Sequence, residues 1–209
     1  YQFSPDNYHN IELGLSSNFA LTPRPQHQHS CIEFMYVLSG SVTNHVGNQI
    51  FTYEAGQCCI MNKNIRHCED FSGDFQAVFL MLQDDFTKEL LTDYEEIQKN
   101  TKQPEEENLI FQLIADEQNE TLQFDKIYLD CFPLIPADDI LERLSSLFNA
   151  LVLETINWDF GSSFLAKAIF TRLLRLLGDS SMFSINRIHS HSQGQEFLFN
   201  KISHIMKTS

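Results

Sequence analysis

The chain has 209 residues, 43% hydrophobic with 18 Phe, enough apolar material to bury a core without help from disulfides. Its 28 acidic against 14 basic residues give a formal net charge of −14, a balance that repels phosphate backbones and excludes nucleic acid as a direct partner of this segment. Five cysteines (Cys31, Cys58, Cys59, Cys68, Cys131) are odd in number and lack CxxC spacing, which points away from a disulfide framework and toward the reducing cytoplasm; no apolar run is long enough to span a membrane. A start at Tyr1 rather than Met leads us to expect a piece of a longer protein.

From Ile11 to about Gln83 the pattern is that of short strands. Apolar segments at Cys31–Leu38, Gln49–Tyr53, Cys58–Met61 and Phe75–Leu82 are separated by Ser39-Gly40, Gly47-Asn48, Ala55-Gly56 and Ser72-Gly73. Gly47-Asn48 reads as a two-residue hairpin turn. Within this region His27-Gln-His29-Ser-Cys-Ile-Glu33 places three metal-competent side chains at i, i+2 and i+6, on one face of an extended chain, together with Cys31, Met35 and Val37. A second block, Gly56 to His67, supplies one more histidine, and the two blocks can converge only inside a rolled-up sheet. His27, His29, Glu33 and His67 then form a three-histidine, one-carboxylate set suited to Fe(II), Mn(II), Ni(II) or Zn(II). The competing roles are effector contact and simple strand structure. Candidate effector contacts are His29, Glu33 and His67 with Met35, Phe51 and Tyr53, a mixed lining compatible with a small organic acid, a sugar or an aromatic compound. His27, next to Thr22-Pro-Arg-Pro25, is expected to point most toward solvent. No GxSxG, glycine-rich phosphate loop or HExxH occurs, and no cysteine or serine has a neighbouring base in sequence.

After Asp84 the texture becomes helical. Asp85–Lys99 reads as a helix broken by Gln103-Pro104, with the acidic runs Tyr94-Glu-Glu96 and Glu105-Glu-Glu107 as solvated faces or loop. Glu105–Phe132 has no clear period, although Leu122–Phe132 suits an extended segment added to the barrel edge. Asp138–Thr155 is a helix with Ile140, Leu144, Leu147, Leu151 and Thr155 along one stripe and Asp138 or Asp139 as its cap. After a turn at Trp158–Gly161, Ser162–Leu177 forms a second helix with Leu165, Ile169, Leu173 and Leu176 on one face, ended by Gly178. The pair makes an antiparallel hairpin. Its apolar residues exceed one packing face, so Leu165, Ile169, Leu173 and Leu176 are the candidate dimerisation stripe. Gly178–Gln195 is polar and reads as a linker, His189-Ser-His191 included, and the tail Gln195–Lys207 turns helical again.

The first block, with HxH, three residues, Glu, six residues and Gly40, resembles the first cupin motif. The second resembles the second cupin motif through Gly56 and His67. It departs at Asn62, where Pro is usual, at Asn64, where Gly is usual, and at Phe71, where Asn is usual, and Leu21 stands where the first motif has Gly. Asn tolerates the left-handed backbone such a Gly supplies. With its helical second half, the sequence looks most like the sensor domain of an AraC/XylS-type transcriptional regulator. The resemblance implies an α+β, mainly β fold: a cupin-like β-barrel over residues 1–135 with a helical or irregular insertion near 84–121, a helical dimerisation hairpin over 136–178, and residues 179–209 as linker and first helix of a helix-turn-helix domain lying outside this sequence. It implies a bacterial, cytoplasmic, non-enzymatic domain that binds a small-molecule effector and forms a homodimer through the helices after the barrel. Such a protein touches DNA only through the further domain. In metal-binding cupins the residues matching His27, His29, Glu33 and His67 are ligands, whereas regulators of this type often keep the pattern without metal; no cofactor is required, and a divalent transition metal is the group the set could hold. The alternative is a metal-dependent cupin enzyme, a dioxygenase or isomerase.

Overall fold

The computed structural model describes residues 2–3, 11–17, 25–100, 108–119, 127–134, 137–157 and 159–189. Among these residues ten strands form two sheets: β1 (Gln2–Phe3), β2 (Ile11–Ser17), β3 (Ile32–Ser39), β4 (Ser41–Val46), β5 (Gln49–Glu54), β6 (Cys58–Met61), β7 (His67–Phe71), β8 (Gln76–Leu82), β9 (Ile127–Pro133) and β10 (Phe183–His189). The larger sheet runs β1-β2-β8-β3-β6-β9-β10 and the smaller β5-β4-β7, with every pairing antiparallel. Strand alternation sorts the side chains. In β4, Val42, Asn44 and Val46 are buried between the sheets while Thr43 and His45 face out. Met35, Val37, Tyr53, Cys59, Met61, Phe79 and Tyr128 join them in an inner core. This is a two-sheet antiparallel β-sandwich, mainly β, the cupin-like architecture that the resemblance implies.

The other face of the larger sheet, carrying Ile32, Phe34, Tyr36, Ile60, Leu80 and Leu129, is covered by helices α1 (Asp84–Asn100), α2 (Leu109–Gln118), α3 (Ala137–Ile156) and α4 (Ser162–Leu177). Phe148 of α3 stacks on Tyr36 with ring centroids 4.4 Å apart, and Phe170 of α4 lies between Phe34 and Phe86 at 6.1 and 5.6 Å. Helix α2 carries no clear sequence period, yet Asn108 caps it by accepting from the Ile110 amide, and Ile110, Phe111, Leu113 and Ile114 are buried. Tyr94 of α1 stacks on Phe111 at 3.9 Å.

The turns follow local chemistry. Gly47-Asn48 closes the β4–β5 hairpin with Val46 opposite Gln49. Gly40 sits at φ 67°, and a Cβ there would meet the Phe75 backbone at 2.7 Å, so only glycine fits between β3 and β4. Asn64 has φ 59°, the left-handed backbone that lets Asn stand where the second cupin motif has Gly. Gly178 ends α4, though for a different reason: its φ is −79°, and what excludes a side chain is Asn108, packed 2.0 Å from where a Cβ would stand.

Four expectations need correction. The extended run around His27 is not continuous with β3: His27 joins the sheet through an isolated bridge to His67, with both backbone hydrogen bonds at 2.9 Å. β9 is not an edge strand, since β10 covers it from Phe183↔Pro133 to His189↔Ile127. That strand falls in the polar stretch expected to be a linker, and His189 is part of it; only Phe183 is fully buried along it, so no side-chain pattern marks the pairing. The stripe of α4 is also rotated, because Ala166, Phe170, Leu173, Leu174 and Leu177 form its buried face. The tail 195–207, Trp158 and the side chains of Asp138 and Asp139 lie outside the described residues. No disulfide joins any of the five cysteines, all of which lie among the described residues, and no described helix is long and apolar enough to cross a membrane.

Candidate functional site in the barrel interior

Strand register assembles the interior in layers. Across the larger sheet Glu33 pairs with Met61, and Met61 with Tyr128. Across the smaller sheet Glu69 pairs with Asn44, and Asn44 with Phe51. The two rows close into a ring, since Phe51 meets Tyr128 edge-on at 4.9 Å and both carboxylates reach His67. Below this polar layer, Met35–Cys59–Asp130 and Phe71–Val42–Tyr53 form a second one, joined by a hydrogen bond from the Tyr53 hydroxyl to Asp130. Above it lie His27 and His29 at the mouth, their rings 4.9 Å apart and 4.4 and 5.6 Å from that of His67.

The donors form a chain. His29 Nε2 is 3.7 Å from Glu33 Oε2, which is 3.0 Å from His67 Nε2. His67 Nε2 is 3.3 Å from Glu69 Oε1, and that oxygen is 3.6 Å from His27 Nε2. Donors bound about 2.1 Å from a metal lie about 3.0 Å apart at right angles and about 3.4 Å apart at tetrahedral angles, so these edges have the scale of a ligand sphere. The imidazoles are also oriented for it. His67 Nδ1–H donates to the Ile65 carbonyl at 2.9 Å and His27 Nδ1–H to the Pro25 carbonyl at 3.0 Å, which aims both Nε2 atoms inward. Holding the outer ring nitrogen on a carbonyl is how ligating histidines are usually fixed.

Electrostatics at this point are severe. Glu33 and Glu69 are 3% and 1% exposed, and burial of two carboxylates demands positive charge. Burial pulls the His67 pKa down, but hydrogen bonding to Glu33 and Glu69 outweighs it and lifts the pKa to about 10. Burial lowers the His29 pKa, and the neighbouring His27 and His67 add to that against the pull of the two carboxylates. Asn44, 1% exposed, has no hydrogen-bond partner for either amide atom among the described residues, and the Tyr128 hydroxyl has none either. Orphaned buried polar groups around two carboxylates are what ordinary core packing avoids. The Cys58 and Cys59 thiols are pushed up in pKa by burial, consistent with inert strand filling.

All six candidate effector contacts, His29, Glu33, His67, Met35, Phe51 and Tyr53, lie in or beside this interior, as does His27. His27 is not the most solvent-facing: its side chain is 26% exposed and that of His29 30%. Glu69, Asn44, Tyr128 and Asp130 were not foreseen. Glu69 had a signal, because two residues after His67 on one strand it shares that residue's face. Asn44 alternates with Val42 and Val46 in the same way. The candidate dimerisation stripe is split: Leu173 is buried, Ile169 and Leu176 are half-buried, and Leu165 is exposed, as are Phe164, Phe160, Leu153 and Ile156.

The mouth is wired to the helices through one loop. Asn64 N–H donates to the His29 carbonyl at 2.7 Å, the Lys63 amide donates to Glu117 of α2 at 3.3 Å, and the Lys63 ammonium pairs with Asp84 of α1. Residues 62–66 thus link the backbones at His29 and His67 to α1 and α2.

Residues 33–124 match the family described as the ExsA N-terminal regulatory domain. Among solved structures, apo ToxT K231A from Vibrio cholerae is similar at TM-score 0.50 and 12% identity, over 80% of this chain and 55% of that one. ToxT from Vibrio cholerae O395 aligns at TM-score 0.43 and 12% identity over 80% and 54%. A cupin superfamily protein from Desulfitobacterium hafniense aligns at 0.36 and 11% over 40% and 76%. The chain thus spans little more than half the length of the ToxT structures. No curated protein sequence matches it.

Proposed function

We propose, with the match to the ExsA N-terminal regulatory domain as premise, that this chain is the effector-sensing and dimerisation part of an AraC-type transcription regulator acting in the bacterial cytoplasm. The single observation that carries the sensing role is the polar layer of Glu33, Glu69, Asn44 and Tyr128 buried inside the sandwich, with His67 at its centre. A ligand there shifts the balance between two arrangements of the 62–66 loop and of α1 and α2, by as much as its affinities for the two differ. DNA contact belongs to a further domain of the protein, since the −14 charge of this segment opposes it. Self-association uses the turn end of the α3–α4 hairpin, which exposes Leu153, Ile156, Phe160, Phe164 and Leu165.

The donor set fits a divalent transition metal: His27, His29, Glu33 and His67 would hold it, and it would supply charge to neutralise the buried carboxylates. The same set is the observation that favours the rival reading, a metal-dependent cupin enzyme. Transcript profiling separates the two. Deleting the reading frame should change a small set of transcripts, restored by the wild-type gene, whereas a Glu33→Gln, His67→Gln double variant should hold them in one state whatever the growth medium. Transcripts indifferent to the deletion would contradict the regulator reading.

A further inference from the structure

We propose that the effector sensed by this domain is itself a divalent transition-metal ion, and that Glu69 is its fifth protein ligand. This rests on the regulatory reading above. Sequence spacing marks four donors, but the fold delivers a fifth: Glu69 Oε1 lies 3.3 Å from His67 Nε2 and 3.6 Å from His27 Nε2, the same scale as the Glu33 edge at 3.0 Å. Two groups of three, His27 with His29 and His67, and Glu33 with His67 and Glu69, each have their donor atoms within 4.8 Å, and His67 belongs to both. His67 joins the two groups, so a single ion seated between them would draw on all five.

The count of ligands decides what such an ion can do. Catalytic centres hold their metal through fewer protein ligands, three in catalytic zinc sites and in two-histidine, one-carboxylate iron sites, so that substrate can reach it. Five protein donors around a six-coordinate ion leave one, which suits an ion that is recognised rather than one that performs catalysis. Charge agrees: two carboxylates and three neutral imidazoles balance a dication, so the loaded site is neutral inside a layer where Glu33 and Glu69 are almost fully buried. The ion has a route in, since His27 and His29 are partly exposed at the mouth. It also has a route out for its signal. Drawing His29 and His67 together pulls on the carbonyls of His29 and Ile65, which hold the 62–66 loop tied to α1 and α2.

The probe is Co2+ added to metal-stripped protein, read by calorimetry and by its visible absorption. Wild type should take one equivalent and give the weak bands of five- or six-coordination. Glu69→Gln should lose affinity by roughly 100-fold or more, beyond the cost of disturbing a group that merely orients a ligand, and its bands should strengthen as the coordination number falls. Asp70→Asn, on the outward face beside His45, should bind as wild type does. X-ray absorption of the loaded wild type supplies the count without any variant, and five or six nitrogen and oxygen neighbours including three imidazoles are expected. No Co2+ uptake, four-coordination, or an unchanged Glu69→Gln titration would each overturn the proposal. None of these would touch the regulatory reading, which the transcript experiment tests separately.

Discussion

At the scale of single residues, the interior polar groups divide into those with opposite charge beside them and those without. Asp130 belongs to the second kind: burial raises its carboxyl pKa, and the Tyr53 hydroxyl that donates to it pulls only part of the way back. A raised acid binds its proton more tightly folded than unfolded, so its contribution is full at low pH and declines as the pH climbs through the raised value. Asp130→Asn keeps an acceptor for Tyr53 and removes the titration. Denaturant midpoints measured from about pH 4 to about pH 8 should therefore shift in favour of the variant as pH rises; a difference that stays constant would show that Asp130 is ionised at no cost. The histidine block was legible in sequence because HxH and Glu share parity on one extended chain. Glu69 and Asn44 were not, because their partners lie on other strands and only register brings Glu69 opposite Asn44.

At the scale of elements, the two hairpin helices carry apolar residues on more than one face, and the fold shows which face is which. Leu173 and Phe170 are fully buried against the sheet, while Phe164 is 74% and Leu165 52% exposed. A charge at Leu173 should unfold the protein, since nothing there can pair with it. Phe164→Glu with Leu165→Glu should instead give a folded monomer where the wild type sediments as a dimer at micromolar concentration. Wild type that stays monomeric, or a double variant that stays dimeric, would remove the hairpin end from the interface. The helices α3 and α4 were readable from their 3.6-residue period, but not the rotation of α4, because Leu165–Ile169–Leu173 and Ala166–Phe170–Leu173–Leu177 are both apolar stripes. Strand β10 was hidden for the converse reason: only Phe183 is fully buried along it, so backbone pairing with β9 rather than side-chain pattern makes it a strand.

At the scale of the whole molecule, charge and architecture assign separate tasks. A sandwich with a buried, doubly acidic layer on one side of its larger sheet and a helical layer on the other suits a device in which binding in one is felt in the other. Its net charge of −14 opposes phosphate contact by this segment. The central claim, that this is the sensing half of a DNA-binding regulator, is tested most directly by footprinting on the region upstream of its own gene at about 150 mM salt, where non-specific contacts are largely suppressed. Residues 1–209 alone should protect nothing. The product of the full reading frame containing them should protect paired half-sites, as a dimer does. Protection by residues 1–209 alone, or none by the full product with or without Co2+, would contradict the account.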